Sequence, residues 1–140
     1  APTPFRYSRF VEIADTAMAG IMHFSAFFRF MGSTEHALLR SLGLSVFNEL
    51  GGEVITFPRV AASCDFHSPA HCEDVLEIDV TVDRVGTKSI TYGFAFTHKG
   101  REVATGIVTS FCGWIGRGRP PISIPIPEEV ATKLRKLAGT

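Results

Sequence analysis

The chain has 140 residues, of which 45% are hydrophobic and 20% charged. That composition supports the core of one compact domain and excludes general disorder. Fourteen basic residues balance fourteen acidic ones, so no net field draws in nucleic acid or an anionic membrane, and no apolar run is long enough to span a bilayer. The N-terminal stretch Ala1-Pro2-Thr3-Pro4-Phe5-Arg6 has no charged segment leading into an apolar one, and it does not read as a secretory signal.

Cys64, Cys72 and Cys112 are odd in number and form no CxxC pair, so reduced thiols and a cytoplasmic location are expected. A catalytic cysteine needs a neighbour that lowers its pKa, and the sequence singles out none. His67, His71 and Cys72 lack a second cluster at zinc-ligand spacing, and no metal site is expected.

Phe5 to Ala14 alternates roughly between bulky and polar residues, which predicts a strand. The small residues from Asp15 to Gly20 predict a loop. From Ser25 to Leu42 the period changes: Phe27, Phe30, Met31, Thr34, Leu38 and Leu42 recur at helical spacing. Ser25 is the expected N-cap and Gly43 the stop. Phe24, Phe27, Phe28 and Phe30 cover more than one side of this helix, so several of its faces are expected to be buried.

Four segments rich in Val, Ile, Thr and Phe follow, over about Val54–Phe66, Val75–Val85, Ser89–His98 and Glu102–Trp114. Glycines in Val85-Gly86-Thr87-Lys88 and His98-Lys99-Gly100-Arg101 favour hairpin turns and antiparallel pairing. The stretch Gly116-Arg117-Gly118-Arg119-Pro120-Pro121 is excluded from a central strand or a helix interior. Pro127-Glu128-Glu129 opens a terminal helix, with acids in its first turn and Lys133, Arg135 and Lys136 towards its end. The order predicts an α+β domain over residues 1–140, in which a curved antiparallel five-stranded sheet wraps one long helix.

Two stretches carry a family resemblance. Asp15-Thr16-Ala17-Met18-Ala19-Gly20-Ile21-Met22-His23-Phe24-Ser25-Ala26-Phe27 resembles the motif Asp-Thr-Asp-x-Ala-Gly-Val-Val-Tyr-x-x-x-Tyr of hotdog-fold thioesterases of the 4-hydroxybenzoyl-CoA thioesterase type. Phe66-His67-Ser68-Pro69-Ala70-His71-Cys72-Glu73-Asp74-Val75-Leu76-Glu77-Ile78 is similar to the aromatic-x-x-Pro-Ala-x-x-x-Asp-x-Leu-x-Ile segment of the same family. Gly100-Arg101-Glu102-Val103-Ala104 and the Arg/Pro-rich exit also fit. The resemblance runs from about Arg6 to Leu137. It implies a hotdog fold, hydrolysis of an acyl-CoA thioester with no cofactor beyond the coenzyme A of the substrate, and a homodimer or homotetramer whose sites form between subunits.

The sequence departs from that pattern at the position of the family's catalytic aspartate, which is Ala17. A methyl group neither accepts a proton nor attacks a carbonyl. Gly32 stands where family members often carry a helix carboxylate. The resemblance places the carbonyl-polarising N–H at Phe24, near a helix N-terminus where such groups are unpaired. Asp15, two residues before Ala17 and on its side of an extended backbone, is a candidate base, with loop capping as its other reading. His23 and Glu35 are further candidates; the alternative for His23 is packing at the dimer seam, and for Glu35 a solvated glutamate or an ion pair near Arg29 or Arg40. Phe27 and Phe30 are candidates for the acyl pocket or for plain core. Lys88, Ser89, Arg117 and Arg119 are candidates for the coenzyme A phosphates. His36, His67, His71 and His98 read as ordinary loop or surface histidines. A thioesterase with a substituted catalytic group is the first reading. A non-catalytic acyl-CoA-binding protein and a hotdog hydratase or dehydratase using His23 and Glu35 are the others.

Overall fold

The computed structural model describes residues 2–50, 52–116, 118 and 120–139. Its main sheet is antiparallel and five-stranded, in the order β1-β5-β6-β7-β4. These strands are β1 (Phe5–Phe10), β4 (Arg59–Phe66), β5 (Val75–Val85), β6 (Ser89–His98) and β7 (Arg101–Phe111). A smaller antiparallel sheet holds β2 (Phe47–Leu50), β3 (Glu53–Thr56), β8 (Gly113–Trp114) and β9 (Ile122–Ser123). The long helix α1 (Phe24–Ser41) and the terminal helix α2 (Glu128–Ala138) complete the fold. Among the described residues no helix is long and apolar enough to cross a membrane.

The two-residue period of the strands sets the inner face. Leu76, Ile78, Val80 and Val82 of β5 are fully buried, as are Ile90, Tyr92, Phe94 and Phe96 of β6. Register aligns them in rows: Val80 faces Phe94, which faces Gly106 of β7, and Ile78 faces Phe96, which faces Ala104. Bulk on β5 and β6 thus gives way to small residues on β7. α1 lies in that hollow, with Phe27, Phe30, Met31, Thr34 and Leu38 buried. A β-carbon on Gly106 would stand 2.4 Å from the Met31 sulfur and 3.2 Å from the Ser63 carbonyl oxygen. A side chain at residue 106 would therefore displace the Met31 thioether from this place.

Several expected boundaries shift for physical reasons. β1 ends at Phe10, because Ile13–Asp15 forms a 3-10 turn in place of extended chain. The strand expected over Val54–Phe66 divides into β3 and β4 at Phe57-Pro58, where proline offers no ladder donor. Likewise Glu102–Trp114 divides at Cys112, whose N–H leaves the main sheet to donate to the Lys88 carbonyl. The N-cap of α1 is His23, not Ser25: His23 Nδ1 accepts the Ser25 N–H at 3.2 Å. Gly43 does terminate the helix, at φ +77°, with its N–H on the Arg40 carbonyl and that of Leu44 on the Leu39 carbonyl. α2 begins after Pro127 and buries Val130, Ala131 and Leu134 in the core.

Replacing Gly106 with Ala is expected to lower stability by about 1–3 kcal/mol through overpacking. Urea unfolding of Gly106→Ala, Met31→Ala and the double variant checks the cause. If the Met31 contact is the source, the two losses will be markedly non-additive.

Candidate active site

Residues Thr16 to Met22 double back on themselves. Thr16 bridges Met22, the Ala17 N–H donates to the Ile21 carbonyl at 2.8 Å, and Ala19 and Gly20 turn the chain at φ +69° and +71°. The strand-like return is stitched to the loop before β5: the Met22 N–H donates to Ala70 O and the Cys72 N–H to Gly20 O. This places the start of α1 beside the end of β4. Between them lies a cavity of about 330 Å³, walled by Ile21, Met22, Phe24, Phe27 and Phe66, with His67 and Ser68 at its polar edge. Phe27 packs edge-on against both Phe66 and Phe96, with ring centroids 5.2 and 5.3 Å apart.

The cap isolates one donor in this cavity. The first N–H groups of a helix have no partner within it. His23 Nδ1 accepts from Ser25 N–H, and the His23 carbonyl accepts from Ala26 N–H at 3.0 Å. Among the described residues, no acceptor takes the Phe24 N–H. Phe24 lines the cavity, so a free donor at the positive end of the helix dipole stands at an aromatic pocket.

The sequence candidates fall into separate places. Asp15 is buried, and its carboxylate accepts from Glu12 N–H at 2.9 Å and from Arg29 Nη2 at 3.1 Å. It closes the 3-10 turn Ile13–Asp15 and lies buried, whereas Ala17 beyond the turn is exposed. Since Nδ1 of His23 accepts a backbone N–H, its neutral ring carries the proton on Nε2, which leaves no free lone pair. Phe27 lines the cavity, whereas Phe30 is fully buried with the Arg9 guanidinium 4.1 Å over its ring. Lys88 and Ser89 lie at the β5–β6 turn, at the opposite end of β6 from Phe96. Arg117 and Arg119 lie outside the described residues.

Glu35 sits three turns along α1, about 16 Å from Phe24 along the axis. It is buried, and its partner is neither Arg29 nor Arg40 but Arg59 of β4, whose Nε donates to Oε1 at 2.8 Å. Ser110 donates to Oε2 at 3.1 Å. Desolvation pushes the Glu35 carboxyl above the ordinary glutamate range, an effect that Arg59 and Ser110 only partly offset.

One residue read as ordinary in the sequence belongs to the cavity. His67 Nε2 lies 3.3 Å from Glu102 Oε1 and 3.1 Å from Thr105 Oγ1. The Glu102 carboxylate beside Nε2 favours the tautomer with its proton there, in which Nδ1 is the acceptor. The only hint in the sequence is the place of His67 between Phe66 and Pro69, since Glu102 is remote along the chain. Burial pushes the Cys64 and Cys112 thiols up to about 11, so neither is a ready nucleophile. Among the described residues no cluster of His, Cys, Asp and Glu could hold a metal ion.

Solved structures share this architecture. A 1,4-dihydroxy-2-naphthoyl-CoA thioesterase from Synechocystis superposes with a TM-score of 0.82 at 26% identity, over 96% of this chain and 97% of that one. A gentisyl-coenzyme A thioesterase gives 0.81 at 27% identity, over 93% and 99%. The wrapped helix and the cavity at its N-terminus thus define a hotdog-fold thioester hydrolase. The chain belongs to the Thioesterase superfamily, which matches residues 11–105. A 1,4-dihydroxy-2-naphthoyl-CoA hydrolase of Thermosynechococcus vestitus is 29% identical over 129 residues, 90% of this chain and 88% of that protein. The Synechocystis hydrolase of the same name is 37% identical over 78 residues, and the match spans 56% of its length.

The raised Glu35 pKa sets a direction for stability. The folded state takes up this proton at higher pH than the unfolded chain, so its contribution is lost as pH rises through the folded value. Glu35→Gln removes the titration while keeping the shape. The melting temperature of the variant relative to wild type is therefore expected to climb as pH rises from the ordinary glutamate range towards neutrality, as a thermal-unfolding series across pH would show.

Proposed function

We propose that the protein hydrolyses an aromatic acyl-CoA thioester, with the carbonyl oxygen held by the Phe24 N–H and water activated by His67. The observation that carries this reading is the Phe24 N–H, which no acceptor takes among the described residues, at a cavity walled by Phe24, Phe27 and Phe66. The named activities of the relatives, on naphthoyl and gentisyl thioesters, support an aromatic acyl group.

His67 Nδ1 takes a proton from water while Glu102 holds Nε2–H and stabilises the cation that forms. Hydroxide adds to the carbonyl carbon, and the Phe24 N–H stabilises the oxyanion. The C–S bond then breaks, and the His67 proton passes to the coenzyme A thiolate. No cofactor enters beyond the coenzyme A of the substrate. Asp15 supports the site from beneath, because its carbonyl accepts the His23 N–H at 2.8 Å and its carboxylate closes the turn before it.

The working unit in this reading is a dimer or a dimer of dimers. β4 is an edge strand with exposed Val60 and Phe66, and a bare edge of this kind needs cover. Two β4 edges paired antiparallel set the Arg59 end of one subunit beside the Phe66 end of the other. Lys88 and Ser89, at the Arg59 end of the sheet, then approach the cavity of the neighbouring subunit, where coenzyme A phosphates would lie. Cys64, Cys72 and Cys112 are all free thiols, which suits the cytoplasm.

Free-thiol release from benzoyl-CoA and a panel of aromatic and aliphatic acyl-CoAs tests the reaction. Thermal stabilisation by these esters without thiol release would overturn it in favour of a binding protein. Phe24→Pro deletes one N–H at the first helical position, where proline is tolerated, and His23 at φ −70°, ψ 141° suits a residue before proline. It is expected to lower kcat by about 10²–10³-fold, against a much smaller effect of Phe24→Ala. His67→Ala is expected to cost about 10²–10⁴-fold. Asp15→Asn should act mainly on the melting temperature, with a smaller loss of kcat than His67→Ala.

A further inference from the structure

A second cavity, of about 520 Å³, opens on the outer side of α1 and is not used by the reaction above. Its floor is Gly32. A β-carbon there would lie 3.3 Å from Arg59 Nη2 and 3.5 Å from Arg59 Cζ, so the guanidinium rests flat against the helix where a side chain would otherwise stand. Arg59 is anchored along one edge, Nε to Glu35, and its side chain stays 45% exposed to the cavity. Arg29 repeats the arrangement: Nη2 is held by Asp15 at 3.1 Å, and 54% of the side chain is exposed. Phe28, Ser33, His36 and Val46 complete the lining. Ser33 Oγ also accepts from Arg9, which is itself fixed over Phe30.

The charges define the ligand. Arg9, Arg29 and Arg59 stand against Asp15 and Glu35, a formal surplus of one positive charge among these five groups around Gly32. Each of the two lining guanidiniums is fixed by a carboxylate on one side and offers its other donors to the cavity. A planar fork of this kind matches a carboxylate, and a single surplus charge suits a monoanion better than a phosphate dianion. The apolar walls Phe28 and Val46 suit a ring that carries it.

We propose that the Arg59 seat on Gly32, together with Arg29, binds a carboxylate borne by the acyl group of the substrate, making an acid-substituted aromatic acyl-CoA the preferred class. This rests on the thioesterase reading. Within one subunit the length of β4, about 23 Å, separates Arg59 from Phe66. Antiparallel pairing of two β4 edges brings the seat of one subunit to the acyl cavity of the other. Thioester and carboxylate are then read by different subunits.

The test compares kcat/KM of the full-length protein for 4-carboxybenzoyl-CoA and for its neutral methyl ester, 4-methoxycarbonylbenzoyl-CoA. The free carboxylate is expected to be favoured by about tenfold or more, through KM, as for one charge-assisted contact. Arg59→Lys keeps the charge beside Glu35 but loses the fork, and Gly32→Leu fills the seat; each is expected to bring the ratio towards unity. Equal rates for the two esters in the wild type, or a preference that survives both variants, would overturn the proposal. An equal rise in KM for every ester in Arg59→Lys would assign the seat to a coenzyme A phosphate instead and overturn it as well. If no ester releases thiol, the thioesterase reading fails by itself, and thermal shift with benzoate against benzamide still reads the seat. Stabilisation by benzoate alone, lost in Arg59→Lys, supports it; equal or absent shifts overturn it.

Discussion

The close contact between Met31 and Gly106 seats the middle of α1 against the sheet, and the two cavities lie along the helix to either side of this seat. With the helix seated in the hollow over β7, its first turn reaches the end of β4, where Phe27 meets Phe66 and Phe96. Its middle reaches the start of the same strand, where Glu35 meets Arg59. A helix held further out would part both pairs. The closeness of protein packing limits the slack here, since a methyl group at residue 106 would displace the Met31 sulfur on one side and press tightly on the Ser63 carbonyl on the other.

Local chemistry made much of the fold legible. The alternation in Val75–Val85 and Ser89–His98 marks both strands to their ends, because each has one face in the core and the turns between them carry glycine. The helical period of Phe27, Phe30, Met31, Thr34 and Leu38 marks α1 in the same way. The second sheet escaped because Phe47–Leu50 and Glu53–Thr56 are four residues each and mix exposed with buried positions, so neither period stands out. Pro58 was visible in the sequence, yet its effect depended on which neighbour it faced.

The site was legible only where it depends on backbone. Phe24 sits at a helix start, and a helix start leaves N–H groups free whatever side chains surround it. The side chains were not readable in this way. Asp15 was placed beside Ala17 on the assumption of extended chain, and the 3-10 turn carried it inward to Glu12 and Arg29. His67 gains meaning from Glu102, and Glu35 from Arg59 and Ser110, partners that only the sheet register brings near. Ser110 is in register with Arg59 across β4 and β7, which is why both reach one carboxylate.

The exchange of charge around α1 ties these substitutions together. A carboxylate at residue 32 would have faced Arg59, which already holds Glu35, and Arg29 likewise holds Asp15. With Ala17 and Gly32 in place, the surplus around the helix is positive. Burial of Glu35 is costly, as its raised pKa shows, because the bonds from Arg59 and Ser110 only partly replace water; the nearby Tyr92 hydroxyl has no partner among the described residues. The fold sustains that cost at the one place where Glu35 fixes Arg59 flat over Gly32. A buried carboxylate that orients an exposed guanidinium is better suited to fixing a ligand than to strengthening the core, and this makes the polar cluster part of substrate recognition more than of stability.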